Sequence, residues 1–260
     1  MEIGPQVLYF ESYFAQRSVR NLVKTVFITG ANRGLGLGLA RELLSKDFLV
    51  FAGVRAANSL ELEELKADYP DSLEMVRIDV TDQGMIERAK AAVEERANKL
   101  DWLINNAAIL GNVEATARGP LDFGDMMATY NTNTLGPLRV TNAFLPLLLK
   151  GESKLVVNIS SEAGSIADCQ RTNNFSYCMS KAALNMQSSL VHNQLKELGG
   201  GVLVLHPGWV QTCMPGKLDT AATLTPAQSA SQLVNLITQN EKNIQPKPLF
   251  LDYQGRQLPW

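Results

Sequence analysis

The chain is short of the residues on which hydrolytic and metal chemistry most often rest. Only two histidines, His192 and His206, occur in 260 residues, and no C-x-x-C or H-E-x-x-H spacing is present. That argues against a His/Cys zinc site and a Ser-His-Asp hydrolase, and no metal is expected. Cys169, Cys178 and Cys213 are an odd count and too sparse for a disulfide framework, so a reducing, cytoplasmic compartment is expected. No apolar run approaches the roughly 20 residues that span a bilayer, so no membrane role is expected. The net charge of -2 and a pI near 5.8 leave no broad basic field for nucleic acid. Internal repeats, low-complexity tracts and Pro/Gly-rich linkers are also missing. Residues 1–23 lack a basic start and a continuous apolar core, which makes a poor signal peptide. They read as a floppy or surface-packed extension; the rival is an aromatic-rich segment, around Tyr9 and Phe10, that caps a pocket or a partner.

What is present is an ordinary globular balance, 45% apolar and 19% charged, arranged as strands alternating with helices. Strands are predicted at 25–29, 48–54, 73–80, 102–104, 155–159, 202–205 and 249–252. Helices are predicted at 35–47, 59–68, 82–98, 121–133, 136–149 and 177–198. A last helix is opened by the capping box Thr225-Pro226-Ala227-Gln228 and runs to about Asn240. Such alternation means a parallel sheet covered by helices on both faces, in one domain spanning 24–260. Ligands of such folds sit beyond the carboxyl ends of the strands, and the distinctive residues fall there.

The segment Thr29-Gly30-Ala31-Asn32-Arg33-Gly34-Leu35-Gly36 joins the first strand to the first helix. Its glycines permit close backbone approach, and the helix start offers free N–H groups and a positive dipole end, a site for a pyrophosphate. At the end of the second strand, where an acid would grip a ribose hydroxyl pair, Arg55 stands instead. Arg55 with Arg33 could pair with a 2′-phosphate, which points to NADP(H) over NAD(H); surface pairing of Arg55 with Glu61 or Glu63 is the bland alternative. Tyr177 and Lys181 are four apart at the start of a helix and share a face. A neighbouring ammonium is expected to lower the phenol's pKa and make Tyr177 a proton donor to a carbonyl oxygen.

The glycine spacing G-x-x-x-G-x-G, Asn105-Asn106-Ala107-Ala108, Asp79-Val80, Asn158-Ile159-Ser160-Ser161, Tyr177-x-x-x-Lys181 and Pro207-Gly208-Trp209-Val210-Gln211-Thr212 together resemble the short-chain dehydrogenase/reductase superfamily. The resemblance covers residues 24–260. It implies an α/β fold, a single Rossmann-type doubly wound parallel sheet of about seven strands. It also implies cofactor contacts at Gly30, Asn32, Arg33, Gly34, Leu35, Gly36 and Arg55, at Asp79 and Val80 around adenine, and at Asn106 and Ala107. Further contacts are implied at Tyr177 and Lys181, and at Pro207, Gly208, Val210 and Thr212 beside the nicotinamide. Ala108 replaces the family's glycine, so the backbone there must accept a Cβ.

The same resemblance assigns catalysis to Asn133, Ser161, Tyr177 and Lys181. Ser161 would bond the substrate oxygen, with Ser160 as rival; alternation should turn only one of them into the site. Asn133 would hold a water that relays protons to Lys181; the plain reading of Asn131 and Asn133 is polar positions at a helix break. The stretch from Ser161 to Tyr177 is longer than usual, with the extra residues in 166–174. His206 and His192 read as structural, and Cys178 as packing.

The close at 251–260 and the segment 158–166 resemble the C-factor-like and sniffer-like carbonyl reductases. The function implied is NADPH-dependent reduction of a ketone, aldehyde or quinone to an alcohol. The alternatives are reduction of a conjugated C=C bond and a non-enzymatic NADP(H)-binding signalling or assembly protein. Residues 210–225 are the expected substrate loop, with Met214 and Leu218 lending apolar character. A homodimer is the expected assembly.

Overall fold

The computed structural model describes residues 23–56, 59–214 and 216–260. The reading of the extension falls almost wholly on residues 1–22 and so lies outside the described residues. Seven strands form one sheet: β1 (Thr25–Thr29), β2 (Leu49–Val54), β3 (Leu73–Arg77), β4 (Trp102–Asn105), β5 (Leu155–Ile159), β6 (Gly201–His206) and β7 (Leu249–Asp252). Their order is β3-β2-β1-β4-β5-β6-β7 and every pairing is parallel. This is the α/β doubly wound architecture. The order reverses beside β1, and there the crevice for a ligand opens.

The helices are α1 (Gly34–Leu44), α2 (Leu60–Asp68), α3 (Gln83–Arg96), α4 (Phe123–Tyr130), α5 (Gly136–Leu149), α6 (Phe175–Leu195) and α7 (Pro226–Asn240). Alternate residues of each strand feed opposite layers. Val26 and Ile28 pack with Leu39, Leu43, Leu233 and Ile237 under α1 and α7. Phe27 packs with Ile86, Val140 and Phe144 under α3 and α5. Both faces of the sheet are thus buried, which explains why its strands read as unbroken apolar runs.

Several boundaries shift by a few residues, and three differences from expectation bear on the site. β3 stops at Arg77 rather than 80: Ile78 still donates to the Val54 carbonyl at 2.8 Å, but Asp79 and Val80 then turn out into the crevice loop. α6 starts two residues before Tyr177, which places the phenol in the first turn. No break separates α4 from α5. Asn131–Leu135 forms a π-helical turn in right-handed backbone, and the Gly136 N–H closes on the Asn131 carbonyl. Pro137, which has no N–H, follows at once, and the wider turn carries the chain past it.

Candidate active site

A cleft of about 1590 Å³ runs along the carboxyl ends of the strands, lined by the glycine loop, Asp79, Val80, Asn106, Ser161, Tyr177, Lys181 and the segment after β6. It is larger than the roughly 300–1,000 Å³ of a drug-sized pocket and so has room for a dinucleotide and a second molecule.

The glycine loop is shaped by its neighbours. Gly30 has φ +67, and a Cβ there would lie 3.0 Å from the Ala107 Cα; at Gly36 it would lie 2.2 Å from the Gly30 carbonyl oxygen. Asn106 braces the loop from β4: its amide donates to the carbonyls of Thr29 and Gly30 at 2.9 and 3.1 Å. The Thr29 hydroxyl accepts from the N–H groups of Asn106 and Ala107, both at 3.0 Å. Ser59, at the start of α2, donates to the Asn32 carbonyl at 2.6 Å. The glycine spacing does not disclose these bracing hydrogen bonds of Thr29 and Ser59. Ala108 keeps a negative φ and accepts its Cβ without strain.

The residues present fit a dinucleotide phosphate. Helices α2, α3, α4 and α7 are each capped by a side chain (Ser59, Asp82, Asp122 and Thr225). At α1 the cap residue is Arg33, which makes no capping bond, and its first turn holds no acid. Its N–H groups thus remain available to an anion. Arg33 and Arg55 are exposed on the cleft wall, and among the described residues neither forms an ion pair, so pairing of Arg55 with Glu61 or Glu63 does not occur. Burial pushes the Asp79 carboxyl up, but hydrogen bonds from Thr81 and the charge of Arg55 more than offset it, and Asp79 titrates below the usual range. Gly34 faces Thr212, whose methyl would lie 3.1 Å from an added Cβ, so the 207–212 segment closes over the glycine loop.

At the other end stand the two serines. Ser160 is buried and donates to Asn185 Oδ1 on α6 at 2.7 Å. The Ser161 hydroxyl faces the Tyr177 phenol and interacts with it, while accepting from the Ala163 N–H at 3.1 Å. Lys181 is 2% exposed; its Nζ donates to the Ile159 carbonyl at 2.7 Å and lies 5.5 Å from the centroid of the Tyr177 ring. The expected lowering of the phenol's pKa is not found. Burial pushes Tyr177 up to about 12, against the Ser161 hydrogen bond that lowers it. Burial brings Lys181 down to about 7, so near neutrality the lysine offers only part of a charge.

Asn133 is fully buried, and its amide is fully used. It donates to the Ile109 carbonyl at 2.8 Å and to Ser180 Oγ at 3.0 Å, and it accepts from the Ile109 N–H at 2.8 Å. Its side chain therefore clamps the loop after β4 to α6. His192 is structural: its Nδ1 accepts from Val202 N–H at 3.1 Å and its Nε2 donates to the Gln245 carbonyl at 2.8 Å. His206 lines the cleft, and its enclosed Nδ1 has no hydrogen-bond partner among the described residues, unlike the hydrogen-bonded structural histidine expected. Of the 166–174 stretch, Arg171 and Asn174 line the cleft, with Arg171 paired to Glu162 at 2.6 Å. No helix among the described residues is long and apolar enough to cross a membrane.

A glycine loop under an uncapped helix, at the switch point of a doubly wound sheet and in one cleft with a Ser–Tyr–Lys cluster, defines a nicotinamide-dependent type of oxidoreductase. Residues 24–223 match the family model described as short chain dehydrogenase, and the chain belongs to the short-chain dehydrogenase/reductase family. It is 40% identical over 161 residues to the C-signal protein of Myxococcus xanthus, covering 62% of this chain and 93% of that one. The NADPH-bound carbonyl reductase from chicken fatty liver superposes with a TM-score of 0.81 at 35% identity, over 92% of this chain and 99% of that one. The carbonyl reductase Sniffer of D. melanogaster superposes with a TM-score of 0.84 at 29% identity, over 92% and 100%. These likenesses place the chain in the C-factor-like and sniffer-like branch.

Proposed function

We propose that the protein is an NADPH-dependent carbonyl reductase. The observation that carries this reading is the pairing of Tyr177 with Ser161 at the wall of the cleft, with Lys181 beneath the same ring. With a pKa near 12, Tyr177 keeps its proton at neutral pH. That is the form reduction needs, since the carbonyl oxygen must gain a proton as its carbon gains hydride. Ser161 Oγ and Tyr177 Oη are two hydroxyls that hold this oxygen. As the phenol gives up its proton, the Ser161 hydrogen bond and a protonated Lys181 Nζ stabilise the phenolate. Asn133 positions rather than reacts, holding Ile109 against Ser180.

NADPH, when bound, supplies the hydride. Gly34, Leu35 and Gly36 at the α1 N-terminus would hold its pyrophosphate, with Arg33 and Arg55 on the 2′-phosphate. Asp79 and Val80 would flank adenine, and Pro207, Gly208, Val210 and Thr212 the carboxamide. Carbonyl reductases of similar fold have been solved with NADPH or NADP bound, the Pseudomonas aeruginosa enzyme among them, which supports this choice.

The test follows NADPH absorbance with aldehydes, ketones, quinones and enones, with NADH in parallel. Reduction of C=O at the expense of NADPH, slow with NADH, is expected. Products saturated at C=C with the carbonyl intact would overturn the reading. The apolar residues Phe123, Met127 and Tyr130 on α4, and Met179, Met186 and Leu190 on α6, are exposed on two helices packed side by side. A face of this kind favours a homodimer, and light scattering after size exclusion reads the mass directly.

A further inference from the structure

We propose that Asp219 is a positioning residue for substrate selection: its carboxylate fixes the Trp209 indole as a flat apolar wall of the cleft, which favours ketones whose body is a planar ring. The inference rests on the carbonyl-reductase reading and narrows it.

Trp209 and Asp219 both line the cleft. The segment that carries Trp209 leaves β6, whose end pairs with the end of β5: the Ser160 N–H donates to the Leu205 carbonyl at 2.8 Å. At Thr212 the same segment meets Gly34 of the glycine loop. Trp209 is thus midway along a path from the serine end of the cleft to its phosphate end. The backbone is fixed there. Leu224 N–H donates to the Trp209 carbonyl at 3.0 Å, and Gln211 N–H to the Leu224 carbonyl at 2.8 Å. Trp209 is 54% exposed, so packing covers less than half of it and leaves the ring's direction to a hydrogen bond. Its Nε1 donates to Asp219 Oδ2 at 2.8 Å. Asp219 is itself anchored on two sides: its N–H donates to the Thr212 carbonyl at 3.1 Å, and its Oδ1 accepts from the Ala221 N–H at 3.2 Å.

An indole has one polar atom, Nε1, and that atom only donates. With Nε1 taken by Asp219, everything the ring offers a ligand is carbon. Met214 and Leu218, on the same loop, line the cleft and add apolar surface. The Asp219 charge disfavours a substrate carboxylate beside the ring. An aromatic face pairs well with another flat ring, stacked or edge-on, and such a pair is worth up to about tenfold in affinity beyond the area it buries. A fixed indole keeps that gain, because binding does not have to order it. A puckered ring of the same size meets the same wall with fewer atoms in close contact.

Acetophenone and cyclohexyl methyl ketone test this, a flat and a puckered ring of equal carbon number. Comparing their kcat/KM ratio between the full-length protein and its variants, all with NADPH, cancels their difference in intrinsic reactivity. The acetophenone preference is expected to fall about five- to tenfold in Trp209→Leu and about threefold or more in Asp219→Ala, with the loss carried by KM. Asp219→Asn keeps an acceptor oxygen and should restore the parent ratio. Time-resolved fluorescence anisotropy reads the ring itself, by difference from Trp209→Leu, because Trp102 and Trp260 are the chain's other indoles. Fast local motion of Trp209 should appear in Asp219→Ala and be absent from the parent and from Asp219→Asn. An unchanged ratio in either Trp209→Leu or Asp219→Ala overturns the proposal and leaves the carbonyl reading standing, and so does a ring that stays immobile in Asp219→Ala. If neither ketone turns over, calorimetry of both on the NADP-loaded protein takes the place of the ratio. A flat-ring preference in binding, lost in both variants, would then support the wall and count against the carbonyl reading; no preference would overturn both.

Discussion

Lys181 Nζ lies 5.5 Å from the centroid of the Tyr177 ring, yet its hydrogen bond goes to the Ile159 carbonyl at 2.7 Å. The two groups share a buried corner, and burial moves their proton affinities apart, Tyr177 to about 12 and Lys181 to about 7. Between pH 7 and the ordinary lysine value of 10.5 the folded chain binds fewer protons at Lys181 than the unfolded chain does. Stability therefore rises with pH across that window and is lowest below it. Above pH 10 Tyr177 works the other way: the folded state keeps a proton that the unfolded state loses, and stability falls toward pH 12. Lys181→Met should flatten the rise between pH 7 and 10 and raise the melting temperature most at pH 6, while removing turnover. Thermal unfolding of both proteins from pH 6 to 10 checks this. A wild-type curve no steeper than the variant's would show that the lysine carries no burial cost.

The two adjacent serines should separate cleanly. Ser161→Ala removes the hydroxyl that faces Tyr177, and kcat/KM for ketones should fall by about a hundredfold or more with NADPH affinity unchanged. Ser160→Ala strips a donor from the buried Asn185 and should cost about 1–3 kcal/mol of stability. Denaturant titration beside steady-state kinetics distinguishes the two outcomes.

Cofactor preference should reside in the arginines. Arg55→Ala and Arg33→Ala are each expected to weaken NADPH binding by about tenfold, with NADH binding nearly unchanged. Both effects should shrink as salt rises, because these side chains are exposed. Fluorescence titration at low and high ionic strength measures it; equal loss for both cofactors would move the 2′-phosphate elsewhere.

Far from the cleft, Glu241 ties the lower end of the sheet together. Its carboxylate accepts from Lys24, from the Trp102 indole at 3.0 Å and from Ser153 at 2.8 Å. Glu241→Ala should destabilise the fold by about 3 kcal/mol, because it leaves a buried indole and a hydroxyl unpaired. Activity per folded molecule should not change. Chemical unfolding with activity measured in the native baseline separates these quantities.

Local chemistry decides what was legible before the structure. Gly30, Gly34 and Gly36 announce their loop because only glycine tolerates those backbone angles and contacts, and Tyr177 and Lys181 are bound to one face by helical geometry. The strand alternation likewise fixes a parallel sheet, since sheets buried on both faces read as apolar runs. What escaped depends on non-local packing. The amide of Asn133 is taken by Ile109 and Ser180, an engagement no spacing foretells. The Tyr177 phenol moves up rather than down because burial outweighs the Ser161 hydrogen bond that lowers it. Arg171 meets Glu162 across a stretch of unusual length, and His206 lines the cleft with an enclosed Nδ1 that has no partner among the described residues. Each follows from how distant segments meet in space.

The most direct test of the account is Tyr177→Phe assayed with NADPH and a reducible ketone, with cofactor affinity measured on the same sample. A fall in kcat of about a thousandfold or more is expected, with NADPH affinity and melting temperature close to those of the parent. Retention of carbonyl reduction at a comparable rate in Tyr177→Phe would contradict it, because the proton would then have to come from a group other than the phenol.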